Sequence, residues 1–221
     1  MAQICKIISL ELLTQDVLKL IVEKPENLHF NPGQAVDVSI NKPNWKDKIR
    51  AFTFTSLPTD NFVEFIIKTY PQHNGVTNEL LFLSVGDELI IGDVFGDISY
   101  KGNGVFIAGG AGITPFLSIL KHLQQQNKIA NNILLFANKT KADIILEPFF
   151  KNLLKENFVN ILSDEKLDNY EHGFINKTML EKYTASNNIF YLCGPPPMMQ
   201  AVEGFLIKLN INPENIIKES F

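Results

Sequence analysis

The sequence predicts two domains, an antiparallel β-barrel over residues 1–100 and an α/β domain over residues 104–221 built on a doubly wound parallel sheet. Three observations carry that expectation. Residues 1–100 hold short β-branched or aromatic runs separated by Gly, Pro, Asn and Asp turns, the spacing of an antiparallel barrel. From Gly104 onward, buried apolar runs alternate with helical patterns, as in a parallel sheet covered on both faces. Between the two regimes lies Lys101-Gly102-Asn103-Gly104, a polar, glycine-rich break of the kind that separates domains.

In the first part the strand runs are 36–40, 49–55, 62–69 and 88–91, bounded by Asn31-Pro32-Gly33, Leu57-Pro58-Thr59-Asp60 and Gly92-Asp93. One helix is expected to interrupt them over 77–83, where Leu80, Leu81 and Leu83 supply an apolar face. In the second part the buried strands are 105–108, 133–137, 158–162 and 189–193, with helices over 115–126, 148–156, 177–183 and 196–209. The apolar Ile216-Ile217 predicts a last strand, which would carry Glu219 and Phe221 to the carboxyl edge of the sheet.

Composition narrows the function. A hydrophobic fraction of 45% with 20% charged residues over 221 positions suits a folded globular protein with a sizeable core. No apolar run approaches the ~20 residues that span a bilayer. The start, Met1-Ala2-Gln3-Ile4-Cys5-Lys6, lacks a basic, cleavable leader, so the cytoplasm is the expected location. A net charge of -4 argues against a nucleic-acid partner. His29, His73, His122 and His172 show no ligand spacing, and no metal site is expected. Cys5 and Cys193 cannot hold an iron–sulfur cluster, which takes about four thiolates.

Arg50-Ala51-Phe52-Thr53 sets a cation, an aromatic ring and a hydroxyl on one strand. Arg50 and Phe52 share a face, and Thr53 faces the other way unless the strand ends there. Those groups suit a flavin, whose phosphate takes a guanidinium, whose ring takes an aromatic cover and whose N5 takes a hydroxyl. Plain sheet fits the same four residues. Farther on, Asn74-Gly75-Val76-Thr77 opens the lone helix, where free backbone N–H groups can bind a pyrophosphate and Thr77 is expected to cap.

Gly109-Gly110-Ala111-Gly112-Ile113-Thr114-Pro115 turns sharply after a buried strand, with Thr114 expected as helix cap and Pro115 at the first helical position. It is neither Gly-x-Gly-x-x-Gly nor a phosphate loop with lysine. Cys193-Gly194-Pro195-Pro196-Pro197-Met198-Met199 follows another buried strand, and its three prolines fix a rigid loop at the carboxyl edge of the sheet. Dinucleotides bind over such strand ends.

Taken together, these motifs resemble the ferredoxin-NADP reductase superfamily of flavoenzymes over nearly the whole chain, and in detail the cytochrome b5 reductases. The resemblance implies FAD as cofactor and NADH or NADPH as substrate coenzyme. It gives Arg50, Phe52 and Thr53 the phosphate, ring and N5 roles, and adds Ile66, Lys68 and Tyr70 of the following strand and Asn74, Gly75, Val76 and Thr77 as FAD contacts. On the coenzyme side it implies Gly110, Gly112, Thr114, Gly194, Pro195 and Met198, and it sets Cys193 where nicotinamide meets flavin. Phe221 is implied as an aromatic over the flavin, and Glu219 as an aid to proton balance. Asn138-Lys139-Thr140-Lys141-Ala142-Asp143-Ile144 is similar to a run in NADH-using members in which the acid disfavours a 2′-phosphate, so Asp143 points to NADH while Lys139 and Lys141 point to NADPH. The chain departs from the pattern at Phe52, where the superfamily has Tyr, at Asn74, a Gly in those reductases, and at Asp93, a Pro there.

The expected activity is hydride transfer from NAD(P)H to FAD, with single electrons passed to a separate protein acceptor such as a ferredoxin, flavodoxin, cytochrome or oxygenase component. Lys42, Lys46 and Lys48 around Trp45 are a candidate docking patch for an acidic acceptor. Two alternatives keep the fold: a non-catalytic nucleotide-sensing or interaction module, and the electron-transfer subunit of a larger dehydrogenase. Of the latter, the dihydroorotate dehydrogenase subunit has a cysteine cluster that this chain lacks.

Overall fold

The computed structural model describes residues 2–184 and 189–219. Its first half is a six-stranded antiparallel sheet built from β1 (Gln3–Thr14), β2 (Val17–Glu23), β3 (Ala35–Ile40), β4 (Arg50–Thr53), β5 (Phe62–Lys68) and β6 (Glu88–Phe95), in the order β4-β3-β6-β1-β2-β5. The end strands β4 and β5 meet through a bridge from Phe54 to Phe65, which curls the sheet toward a barrel. Inside it, Phe30, Phe54 and Phe65 stack, with ring centroids 3.9 and 5.7 Å apart in turn.

The helix expected over 77–83 is a short α1 (Val76–Glu79) running into a 3-10 turn, Leu80–Phe82. Thr77 does not cap it. Gly75 takes the cap position in an extended conformation, without a side-chain bond, and buried Val76 anchors the first turn in the barrel core.

The second half is a six-stranded sheet of parallel pairs, order β10-β9-β8-β7-β11-β12, from β7 (Gly104–Gly109), β8 (Ile133–Asn138), β9 (Phe158–Leu162), β10 (Glu171–His172), β11 (Ile189–Cys193) and β12 (Ile216–Lys218). Residues of α2 (Thr114–Gln125) and α3 (Glu147–Leu154) share one apolar cluster with this sheet, and those of α4 (Lys177–Glu181) and α5 (Pro196–Lys208) share another. Strand order runs outward from β7 in one direction and from β11 in the other. Such a switch point leaves a crevice beyond the strand ends, and ligands bind there.

A correction concerns Thr114. Residues Gly110–Ile113 form a 3-10 turn that leads straight into α2, so Thr114 lies inside the helix and its hydroxyl donates to the Ala111 carbonyl at 3.0 Å. Pro115 is accordingly the second helical residue and not the first, still within the turn where its missing N–H costs no helical bond.

The break at 101–104 is held firmly. Tyr191 Oη accepts from the Lys101 N–H and donates to the Gly102 carbonyl, each at 2.8 Å, and the buried Asn132 side chain accepts from the Gly104 N–H at 3.0 Å. No helix among the described residues is long and apolar enough to cross a membrane.

Candidate functional site

A cleft of about 640 Å³ opens where the two halves meet. One wall is Arg50, Ala51, Phe52 and Thr53. These line it together because β4 ends at Thr53, while Phe54 turns into the barrel and is fully buried. Phe52 backs onto the core, its ring centroid 6.1 Å from that of Phe65. A second wall comes from β5 and the chain after it, with Ile66, Ile67, Lys68 and Tyr70. The floor is Asn74, Gly75, Val76 and Thr77, at the end of α1 whose first N–H groups lack helical partners.

The charges in the cleft differ in availability. Lys68 is spent on Asp16 at 2.5 Å. Arg50 is exposed, and its recorded bond is from Nη1 to the Ile49 carbonyl at 2.7 Å; among the described residues no carboxylate pairs with it. A guanidinium in that position is the cation left for an anionic ligand.

The third wall comes from the other half of the molecule. Ala111 and Thr114 line the same cleft, and between them a β-carbon at position 112 would collide with the carbonyl oxygen of Cys193. Glycine is required there for that reason alone. At position 109 a β-carbon would stand 2.6 Å from the Met198 sulfur and 2.8 Å from Pro195, and at 194 it would stand 2.6 Å from the Met198 methyl. Gly110 has φ +51 and open space beside it. The Gly109–Gly112 and Cys193–Met198 loops are thus packed backbone to backbone at the switch point.

Cys193 is buried, and its thiol donates to Glu219 Oε2 at 3.6 Å. Burial, with the Glu219 carboxylate beside it, pushes the thiol far above its ordinary range. Glu219 is raised too, chiefly by burial, with Asp97 adding to the shift and the Cys193 contact opposing it. Its other oxygen, Oε1, is buried and has no hydrogen-bond partner among the described residues. Phe221 lies outside the described residues.

Asp143 stands apart from the cleft. Its Oδ2 accepts from the Thr140 N–H at 2.9 Å and the Thr140 hydroxyl at 2.8 Å, a capping box on the Lys141–Asp143 turn, and Gln15 of the first half reaches its Oδ1 at 3.5 Å. A second recess of about 580 Å³ beside that turn is lined by Thr140, Lys141, Ala142, Glu147 and Glu165. There the Lys141 N–H donates to Glu165 at 2.8 Å and its ammonium lies 5.8 Å from the Tyr170 ring centroid. The lysine patch is also partly committed: Lys42 pairs with Asp87 at 3.0 Å and Lys48 sits 4.0 Å from the Trp45 ring centroid.

Sequence reasoning missed His73 as a cleft residue. It stacks on Tyr70, centroids 5.6 Å apart, across a turn closed by the His73 N–H on the Tyr70 carbonyl at 2.9 Å. Two aromatic rings three residues apart beside a proline were the available signal. Ala111 was quoted within its motif without a role.

A cleft with a guanidinium that no carboxylate pairs with among the described residues, an aromatic wall and helix-start amides, joined by one glycine turn to a parallel-sheet switch point, suits a flavin dinucleotide beside a nicotinamide dinucleotide. Comparison with known families agrees: residues 2–91 match the FAD-binding domain family and residues 106–204 the oxidoreductase NAD-binding domain family. The NADH-cytochrome b5 reductase 2 of Gallus gallus is 30% identical over 76% of this chain and 68% of its own length. The chain belongs to the FAD- and NAD-binding reductases of the ferredoxin-NADP reductase type. Within this family, the propane 2-monooxygenase reductase component of Mycolicibacterium goodii is 29% identical, over 98% of this chain and 66% of its own length. The chain therefore spans just under two thirds of that relative. Among solved structures, the cytochrome b5 reductase domain of Ulva prolifera nitrate reductase shares the fold at a TM-score of 0.85 with 23% identity, covering 99% of this chain and 97% of that one.

Neither cysteine of this reductase should behave as a reactive thiol, since burial raises Cys193 far above its usual range and Cys5 to about 11. The folded protein incubated with iodoacetamide at pH 8 is expected to gain no adduct by intact mass. Rapid single labelling at Cys193 would show an accessible thiolate.

Proposed function

We propose that the chain is an FAD-dependent NADH oxidoreductase that hands electrons to a separate protein acceptor. Residues 1–100 hold the flavin and residues 104–221 the coenzyme. FAD held there would supply a hydride acceptor for reduced nicotinamide and a donor of single electrons. The observation that carries this reading is the single turn Gly110–Thr114, which belongs both to the flavin cleft and to the crevice at the Cys193 loop.

In that reading Arg50 neutralises a flavin phosphate, and the amides at Gly75, Val76 and Thr77 bind the pyrophosphate. Phe52 and Tyr70 wall the ring system, Ile66 and Asn74 shape the space around it, and the Thr53 hydroxyl orients its reactive edge. Lys68, held by Asp16, contributes its stem and a neutralised head. Across the turn, Gly110, Gly112, Thr114, Gly194, Pro195 and Met198 form the coenzyme crevice. Cys193 stays a neutral thiol that packs and orients, because hydride transfer needs no nucleophile. Glu219, whose Oε1 has no hydrogen-bond partner among the described residues, holds a proton at the edge of the site.

For the acceptor, the names of the relatives supply two classes, an oxygenase component and a cytochrome. Lys46 is the part of the basic segment that supports docking, since Lys42 and Lys48 are engaged within the chain and Arg50 is assigned to the flavin phosphate. Two free, buried cysteines support a reducing compartment such as the cytoplasm.

The purified protein reconstituted with FAD should be yellow and should be bleached by NADH without oxygen, and Arg50→Ala should fold yet bind FAD at least tenfold more weakly. Bound flavin that NADH leaves oxidised would instead indicate a nucleotide-sensing module, and unchanged FAD affinity in the variant would remove Arg50 from the phosphate.

Coenzyme choice is tested best by Asp143→Asn, since asparagine keeps an acceptor for Thr140 while removing the charge that repels a 2′-phosphate. The NADPH-to-NADH ratio of specificity constants should rise about tenfold, or ~1.4 kcal/mol. A wild-type protein that prefers NADPH would overturn the assignment.

A further inference from the structure

The two halves share more than an apolar seam. Val17, Ile66 and Ile98 of the first half lie in one buried cluster with Phe116, Ile119 and Leu120 of α2. Along this seam α2 sends a cation. Lys121 Nζ donates to the Thr55 carbonyl at 2.8 Å and to Glu64 Oε1 at 2.8 Å. Glu64 is 7% exposed, and the Thr55 hydroxyl donates to the same oxygen at 2.9 Å. The Glu64 N–H is taken by the buried Ser56 hydroxyl at 3.1 Å, and one helical turn before Lys121 the Ser118 hydroxyl donates to the Ser56 carbonyl at 3.2 Å. Lys19 pairs with the other Glu64 oxygen at 3.9 Å, beyond hydrogen-bond distance, and it belongs to the same half as Glu64, so it does not link the halves.

A carboxylate this buried is strongly disfavoured without its cation and hydrogen bonds, so these groups are satisfied together only when α2 sits in one place. That place matters at the cleft. Glu64 lies two residues before Ile66 on β5, and Thr55 two residues after Thr53, so the groups that receive Lys121 continue the two walls of the cleft. On the other side, Thr114 is two helical turns before Lys121 on α2, about 10 Å along the axis. From Thr114 the chain passes back through Gly112, which abuts the Cys193 carbonyl.

We infer that Lys121 is a positioning residue for hydride transfer, a half-buried pin that reaches the buried Glu64 across the two halves and sets the depth of the Ala111–Thr114 turn, and with it the Cys193 loop, over the flavin cleft. The inference rests on the proposed reductase reading for its kinetic consequence, but its structural part concerns the chain alone. It names a charge pair away from the ligand-lining residues and predicts that alignment, rather than coenzyme affinity, depends on it.

The test uses Lys121→Met, with Lys121→Arg as the conservative variant. In flavin-free protein, amide hydrogen exchange in α2 and β5 should rise at least tenfold for Lys121→Met, with β8 and β9 unchanged. In FAD-loaded protein, NADH affinity should stay within threefold of wild type while flavin bleaching at saturating NADH slows at least tenfold. Lys121→Arg should restore both readouts to within threefold. If Lys121→Met does not fold, Glu64→Gln removes the charge while keeping its shape, and the same loosening and slowing are expected. Unchanged exchange at the seam, a bleaching rate within twofold of wild type, or exchange raised equally throughout both halves would each overturn the pin. A wild-type protein that NADH cannot bleach would instead defeat the reductase reading, leaving the exchange result to decide the pin on its own.

Discussion

The structure depends on one close approach. The backbone at Gly112 lies so near the carbonyl of Cys193 that a side chain would not fit, and Gly109 meets Pro195 and Met198 in the same way. This contact joins the first and fourth predicted strands of the α/β half at their carboxyl ends, where strand order reverses. Because the turn that makes the contact also begins α2, whatever fixes α2 fixes the Cys193 loop. Glycine here serves proximity rather than flexibility, and the cost in chain entropy is recovered by two loops that share a wall.

The barrel supplies the other surface. Its rings Phe30, Phe54 and Phe65 make a stiff backing for Phe52, so the cleft wall is an extension of the core. The break between the halves is pinned at Tyr191, whose buried hydroxyl serves two backbone groups of 101–102 and is raised to about 12 by burial. Besides this linker, a shared apolar seam and the Lys121–Glu64 pair connect the two halves. Preorganisation of that kind suits a reaction whose rate depends on the separation and stacking of two rings.

Much of this was legible in the amino-acid order. The strands β7, β8, β9 and β11 stood out within a residue or so because buried apolar runs bounded by Gly and Asn have few other readings, whereas β10, two exposed residues, carries no apolar signal and was not expected. The two threonine caps were misread for one reason: a glycine took the cap at 75 and a 3-10 turn took it at 113, displacing side-chain chemistry that is common elsewhere. Neither β1 nor β2 was among the expected strands; exposed Ile4, Ile8 and Leu12 blur the alternation of β1, and two irregularities shift its register against β2. Thr140-x-x-Asp143 carries a readable capping-box spacing, and the structure shows the acid engaged there. Lys121 and Glu64 are 57 residues apart, and nothing local in either segment signals the other.

The central claim is that flavin and nicotinamide meet at the Gly110–Thr114 turn and react directly, with Cys193 neutral throughout. The most direct measurement is anaerobic single-turnover reduction of the FAD-loaded protein at saturating NADH, comparing NADH deuterated at either face of C4 with the unlabelled coenzyme. Bleaching should slow severalfold for one face and not the other, at a rate independent of pH between 6 and 9. A rate insensitive to both labels, or one that rises with pH as a thiol ionises, would contradict direct transfer between two aligned rings.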